Sequence, residues 1–153
     1  MERLFLDSSA LVKYFIQEPG SAAVEHLLVS TPADRVYVAM VTGAEVVAAL
    51  KRAERTGALT AEDAETAIRH FLEMWQAQFI VIAIDDTIAD RAMALARRHG
   101  LRGYDAIQLA CAADLAQSAA EAGDAVILWS SDSDLLAAAQ LEGLAVVNPV
   151  GGK

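Results

Sequence analysis

The chain has 153 residues and carries 12 Lys and Arg against 21 Asp and Glu, a formal net charge of −9. That length suits one domain whose core needs no disulfide or structural metal, and 55% hydrophobic with 22% charged residues excludes intrinsic disorder. The acidic balance excludes a polybasic protein that holds nucleic acid by bulk charge, but it does not exclude a nuclease.

Along the chain, short apolar runs alternate with amphipathic stretches. Arg3 to Leu6 predicts a strand, and Ser9 to Glu18 a helix that Pro19-Gly20 ends. Ser21 to Val29 predicts a second helix, closed by Ser30-Thr31-Pro32. Arg35 to Met40 reads as strand and Thr42 to Arg55 as helix, with Gly57 behind it as a stop. Thr60 to Gln78 predicts a longer helix, and the continuous apolar run Phe79 to Ile84 predicts a strand buried on both faces. Helices over Ile88 to His99 and Tyr104 to Ala122 end at Gly100 and Gly123. Ala125 to Trp129 is strand-like, Asp134 to Glu142 helical, and Leu144 to Val147 a final strand. The expected organisation is one domain over residues 1–150 and a short tail over 151–153. The single Cys111 lies in an apolar run and reads as a buried thiol. With no basic leader and no run of ~18 apolar residues, a cytoplasmic protein without membrane contact is expected.

Strands alternating with helices predict a three-layer α/β/α fold, a mostly parallel central sheet with helices on both faces. Such sheets bind ligands outside the carboxyl ends of their strands. Asp7 follows the first strand there, Asp132 follows Trp129-Ser130-Ser131, and Glu45 and Asp105 open helices on the same side. Each acid has an ordinary structural reading. Thr42-x-x-Glu45, Thr60-x-x-Asp63 and Ser131-x-x-Asp134 fit capping boxes, Asp85 and Asp86 sit where an N-cap belongs, and Ser9 can cap the first helix. The set of four argues for more. Two carboxylates ~4 Å apart repel by about 4 kcal/mol at an effective dielectric of about 20, whereas an acid in a first helical turn gains only ~0.3–1 kcal/mol from the dipole. A hard divalent cation offsets that repulsion, and oxygen donors without Cys or His favour Mg²⁺, with Mn²⁺ as a substitute, over Zn²⁺. A site of this kind suits phosphodiester hydrolysis. Asp132, at the strand end, is the favoured fourth acid; Asp134 caps the helix or supports the site through water.

The segments Leu6-Asp7-Ser8-Ser9-Ala10-Leu11-Val12-Lys13, Ala44-Glu45-Val46, Leu101-Arg102-Gly103-Tyr104-Asp105-Ala106-Ile107-Gln108-Leu109-Ala110 and Ser130-Ser131-Asp132-Ser133-Asp134-Leu135 resemble the successive motifs of PIN-domain ribonucleases, most closely the VapC-type toxins of toxin–antitoxin pairs. The resemblance runs from residue 4 to Pro149. It implies a PIN-like fold and a Mg²⁺-dependent endoribonuclease whose cluster is Asp7, Glu45, Asp105 and Asp132. In that reading Asp7 and Asp105 are the principal metal ligands. Glu45 and Asp132 complete the shell, position a second ion or orient the attacking water, and Ser9 hydrogen-bonds into the cluster. The resemblance further implies a homodimer inhibited by a cognate antitoxin.

Despite the acidic total, basic residues flank these motifs. Arg52 lies seven residues after Glu45, nearly two turns along the same face, with Lys51 and Arg55 beside it. Arg102 precedes Asp105 by three residues, Arg97 and Arg98 lie a turn or so earlier, and Lys13 is on the helix leaving Asp7. Arg52, Arg102 and Lys13 are candidates to meet RNA phosphates, against the alternative of ordinary solvated helix charge. His26, His70 and His99 show neither ligand spacing nor a nucleophile partner, and Trp75 reads as core packing or as a protein contact. No Walker loop or dinucleotide fingerprint is present. Two other readings stay open: another metal-dependent phosphoryl hydrolase, such as a DNase or phosphatase, and a non-enzymatic PIN-like binding module. The acidic surface also makes a basic antitoxin segment an electrostatically sensible partner.

Overall fold

Alternation of apolar side chains along each strand builds two cores, one on either face of a parallel sheet. The computed structural model describes residues 1–151. Strands β1 (Glu2–Leu6), β2 (Val36–Ala39), β3 (Ile80–Ile82), β4 (Ala125–Trp129) and β5 (Ala145–Val147) stand in the order β3-β2-β1-β4-β5, every neighbouring pair parallel. The helices are α1 (Ser8–Leu11), α2 (Ser21–Ser30), α3 (Val41–Arg55), α4 (Ala61–Ala77), α5 (Asp86–His99), α6 (Gly103–Glu121) and α7 (Ser133–Leu141). Phe5 and Leu128 point to the face covered by α5, α6 and α7, where they meet Leu95, Leu109 and Leu135. Leu4, Leu6 and Val38 point the other way, to Leu11, Val24, Leu50 and Phe71 of α1 to α4. This is the three-layer α/β/α arrangement expected, with a sheet wholly rather than mostly parallel. No helix among the described residues is long and apolar enough to cross a membrane. Residues 152 and 153 of the expected tail lie outside the described residues.

Two elements differ from expectation. The helix expected over Ser9 to Glu18 is only α1 followed by a 3₁₀ turn, Val12–Tyr14. Its continuation is pre-empted by the Ser21 hydroxyl, which donates to the Ile16 carbonyl and accepts from the Glu18 amide, so those backbone groups need no helical partners. The turn into α2 runs through Gly20 at φ 93°, where a side chain would also crowd the Pro149 backbone. The run Phe79 to Ile84 is a strand over Ile80–Ile82 alone, and Ile80 is 39% exposed. β3 pairs only with β2 and forms a sheet edge, a position that an apolar run cannot encode.

Trp75 is half-buried against the α1–α4 core, and its ring packs so near Gly43 that any side chain there would meet it at 3.3 Å. Cys111 is buried. His99, at the end of α5, contacts Glu142 beyond α7 at 2.8 Å.

Candidate active site

Because the sheet is parallel, every strand delivers its chain to the same edge, where the next helix begins with unpaired N–H groups. Asp7 leaves β1 there as the N-cap of α1. Its Oδ1 accepts from the Ala10 amide at 3.0 Å and from Ser9 Oγ at 2.7 Å, and its Oδ2 accepts from Ser130 Oγ at 2.6 Å. Ser9 Oγ in turn accepts from the Ser131 amide at 2.9 Å, and Ser130 Oγ from the Asp132 amide at 3.0 Å. The ends of β1 and β4 are thus stitched together through one carboxylate, itself only 3% exposed. Asp132 is the N-cap of α7, its Oδ1 accepting from the Leu135 amide at 3.0 Å.

Three capping expectations are corrected here. Ser9 does not cap α1, since Asp7 holds that position and Ser9 supports it. The Ser131-x-x-Asp134 box does not form, because Asp132 is the cap. Nor does the Thr42-x-x-Glu45 box. α3 starts one residue earlier, Met40 holds the cap position in helical conformation with no side-chain bond, and Thr42 is already inside the helix and fully buried. Freed from capping, Thr42 Oγ1 accepts from Gln108 Nε2 of α6 at 2.8 Å, and the same nitrogen donates to Glu45 Oε1 at 2.9 Å. Thr60 and Asp85 do cap α4 and α5.

Asp7, Glu45, Asp105 and Asp132 line one cavity of about 440 Å³, together with Ser9 and Arg52. Asp134 is not among its lining residues. It lines an adjacent hollow of about 390 Å³ with Arg102, and Asp105 borders both. Arg102 stands between them: its Nε is 3.6 Å from Asp105 Oδ2 and its Nη2 3.6 Å from Asp132 Oδ2. Its side chain is 68% exposed, and the guanidinium lies 5.3 Å from the centre of the Tyr104 ring. Lys13 is elsewhere. It is 6% exposed and pairs with Glu18 at 2.9 Å, because the 3₁₀ turn redirects it, so the expectation that it faces the cleft is corrected. Lys51 and Arg98 are likewise paired, with Glu54 and Glu142.

The electrostatics of the cavity are those of acids held together against their charge. Burial pushes Asp7 up to about 6; hydrogen bonds from Ser130, Ser9 and the Ala10 amide oppose the shift, and the charge of Glu45 adds to it. Asp105 is also pushed up to about 6, by burial and then by Asp132, with Arg102 opposing and Asp7 and Asp134 adding. Glu45 lies above its ordinary range for the same first reason, burial, which hydrogen bonds from Gln108 and Ser8 oppose and the charge of Asp105 reinforces. Among the described residues no three acidic, His or Cys side chains already converge as a ready-made cation cage. The site fits a hard cation through its donors, oxygen throughout and carrying uncompensated negative charge.

The sequence reading gave no site role to Ser130, Ser8 or Gln108, and read Thr42 as a helix cap. Gln108 carried a readable signal as the one polar side chain in the run Ala106 to Ala113, three residues after Asp105 and so on the same helical face.

The PIN domain family matches residues 4–141. The chain belongs to the PIN-domain family. It is 35% identical over 112 residues to ribonuclease VapC45 of Mycobacterium tuberculosis (strain CDC 1551 / Oshkosh), covering 73% of this chain and 76% of that protein. Within the family it therefore falls among the VapC-type ribonucleases. Its fold matches the crystal structure of FitAcB from Neisseria gonorrhoeae with a TM-score of 0.69 at 19% identity, over 95% of this chain and 97% of that one. It also matches a toxin-antitoxin complex from Klebsiella pneumoniae with a TM-score of 0.59 at 23% identity, over 96% and 97% of the two chains.

Proposed function

We propose that this chain hydrolyses RNA phosphodiester bonds at the carboxylate cavity, with Mg²⁺ or Mn²⁺ as cofactor, as the toxin of a toxin–antitoxin pair acting in the cytoplasm. The observation that carries the reading is that Asp7, Glu45, Asp105 and Asp132 line one cavity, the first three with raised proton affinities, and that Arg102 stands between Asp105 and Asp132. Asp7 and Asp132 also cap helices, but capping does not offset the mutual repulsion of four acids, which suits a divalent cation. Asp7 and Asp105 would hold it, directly or through water, with Glu45 and Asp132 completing the shell. When bound, the cation supplies charge stabilisation at the phosphate and a more acidic water.

The chain's own residues have separate tasks. Ser9 and the Ala10 amide of α1 and Ser130 beyond β4 fix the orientation of the Asp7 carboxylate. Glu45, half-buried and not tied into a cap, orients the attacking water and takes its proton. Arg52, on the cavity wall, and Arg102, at its lip, bind flanking phosphates. The VapC relative and the Klebsiella complex support a cognate antitoxin as partner, and the resemblance supports a homodimer. The test offers labelled RNA, single-stranded DNA and a phosphate monoester to the protein with Mg²⁺, with Mn²⁺ and with EDTA. Cleavage of RNA alone, lost in EDTA and in Asp105→Asn, is the expected result. Cleavage of DNA or the monoester instead replaces the substrate, and RNA cleavage that survives EDTA or Asp105→Asn overturns the site.

A further inference from the structure

Gln108 is 1% exposed and sits one turn beyond Asp105 on α6. Its Nε2 donates to Thr42 Oγ1 at 2.8 Å and to Glu45 Oε1 at 2.9 Å, while its Oε1 is buried without a hydrogen-bond partner. A sealed, unpaired carbonyl oxygen destabilises a fold, and such groups are rare enough in native proteins to need a reason. Turning the amide over would set that oxygen against the Glu45 carboxylate, so the carboxylate dictates the orientation. Thr42 does not, because a hydroxyl donates or accepts with equal ease. An apolar side chain would fill the same space without the orphaned oxygen. What the amide adds is a grip on Glu45.

That grip has a geometric consequence. The bonds to the Glu45 carboxylate come from Ser8 of α1 and Gln108 of α6, both outside α3, so contacts between elements set it. Gln108 and Asp105 share a helix three residues apart, so a bond from Gln108 to Glu45 ties Glu45 to Asp105 through rigid backbone. We propose that Gln108 is a positioning residue that holds one oxygen of Glu45 and thereby sets the Glu45 carboxylate relative to Asp105 for metal binding and hydrolysis. The inference rests on the metal-nuclease reading above and assigns Gln108 a role within it.

The test compares wild type with Gln108→Leu and Gln108→Met, the second a closer match in length, and repeats Gln108→Leu in a Glu45→Gln background. Mn²⁺ affinity by electron paramagnetic resonance is expected to weaken about 10- to 100-fold, the range seen when partners of metal ligands are removed. The kcat on RNA is expected to fall about 10-fold or more with KM little changed, and Gln108→Leu to add almost nothing once Glu45→Gln is present. In the metal-free protein, the Gln108 side-chain amide resonance is expected to move on Glu45→Gln, a measurement that needs no substitution at Gln108. Wild-type Mn²⁺ affinity and kcat in both Gln108 variants, an equal loss in the Glu45→Gln background, or an unmoved amide resonance overturns the proposal while leaving the nuclease reading intact. A wild type that neither binds Mn²⁺ nor cleaves RNA overturns both.

Discussion

The two ends of the sheet treat the same residue type in opposite ways. At the amino end, Asp124 sits just before β4 and meets Arg3 Nε at 3.0 Å, Arg35 Nη1 at 3.0 Å and the terminal amine of Met1 at 3.3 Å. Those hydrogen-bonded cations hold its carboxyl below the usual range. At the carboxyl end, Asp7 and Asp105 stand above it, at about 6, and among the described residues only Arg102 pairs with the cluster, 3.6 Å from Asp105 and from Asp132. One end is charge-matched and the other is left unmatched. The difference teaches where the net charge of −9 matters: the acid at the amino edge is a structural partner of cations, and the acids at the carboxyl edge crowd one another with few cations beside them.

The sharpest way to break this comparison is to remove one acid from each end. Asp105→Asn is expected to lower RNA cleavage by about 10²- to 10³-fold, the scale of losing a group that stabilises transition-state charge, while raising the melting temperature of the metal-free protein. Asp124→Asn is expected to do the reverse, lowering the melting temperature by a few degrees with cleavage unchanged. Cleavage assays and thermal melts on both variants check the crossing.

Titration separates the ends next. Asp7 and Asp105 have folded-state pKa values raised from 3.8 to about 6, so their protonated forms favour the fold. Their contribution is full below about pH 4 and is lost as pH rises through about 6, at roughly 3 kcal/mol for either one taken alone. Asp124 and Glu142 are lowered, Glu142 by hydrogen bonds from Arg98 and His99, so their contribution is lost as pH falls through their folded values. Melting temperature against pH should therefore peak in weak acid and decline toward neutrality. Excess Mg²⁺ should remove the decline on the neutral side and leave the acid side untouched.

The smallest effect concerns the cavity wall. Arg52→Glu is expected to weaken RNA binding and to reduce the slope of log affinity against log salt by about 1. Affinity measured across a salt series checks it, and Arg35→Glu at the amino end should leave that slope unchanged.

The readable parts of the site were those that depend on chain direction. Asp7 and Asp132 follow strands, Glu45 and Asp105 open helices, and a parallel sheet puts all four at one edge whatever the detailed packing. The unreadable parts depend on which side chain wins a shared partner. Thr42 matched a capping pattern, yet α3 began a residue early and the hydroxyl went to Gln108. Lys13 followed the first acid in sequence, yet the 3₁₀ turn carried it to Glu18. Asp132 and Asp134 differ by two residues; the cap position at Asp132 leaves that side chain on the cavity and Asp134 in the neighbouring hollow.

Periodicity and punctuation in the sequence were sufficient by themselves for most strand and helix identities, the layered α/β class and the placement of the four acids at one sheet edge, because those follow from local residue pattern and strand direction. Tertiary structure alone decided that β3 is an edge, that Ser130 braces Asp7 and meets Ser9, and that Gln108 reaches from α6 to Glu45 on α3. These are contacts between residues 63 or more positions apart in the case of Gln108, and 121 to 123 where Ser130 meets Ser9 and Asp7. Partners so distant are chosen by helix crossings and by competition among hydrogen-bond donors, which no local pattern encodes.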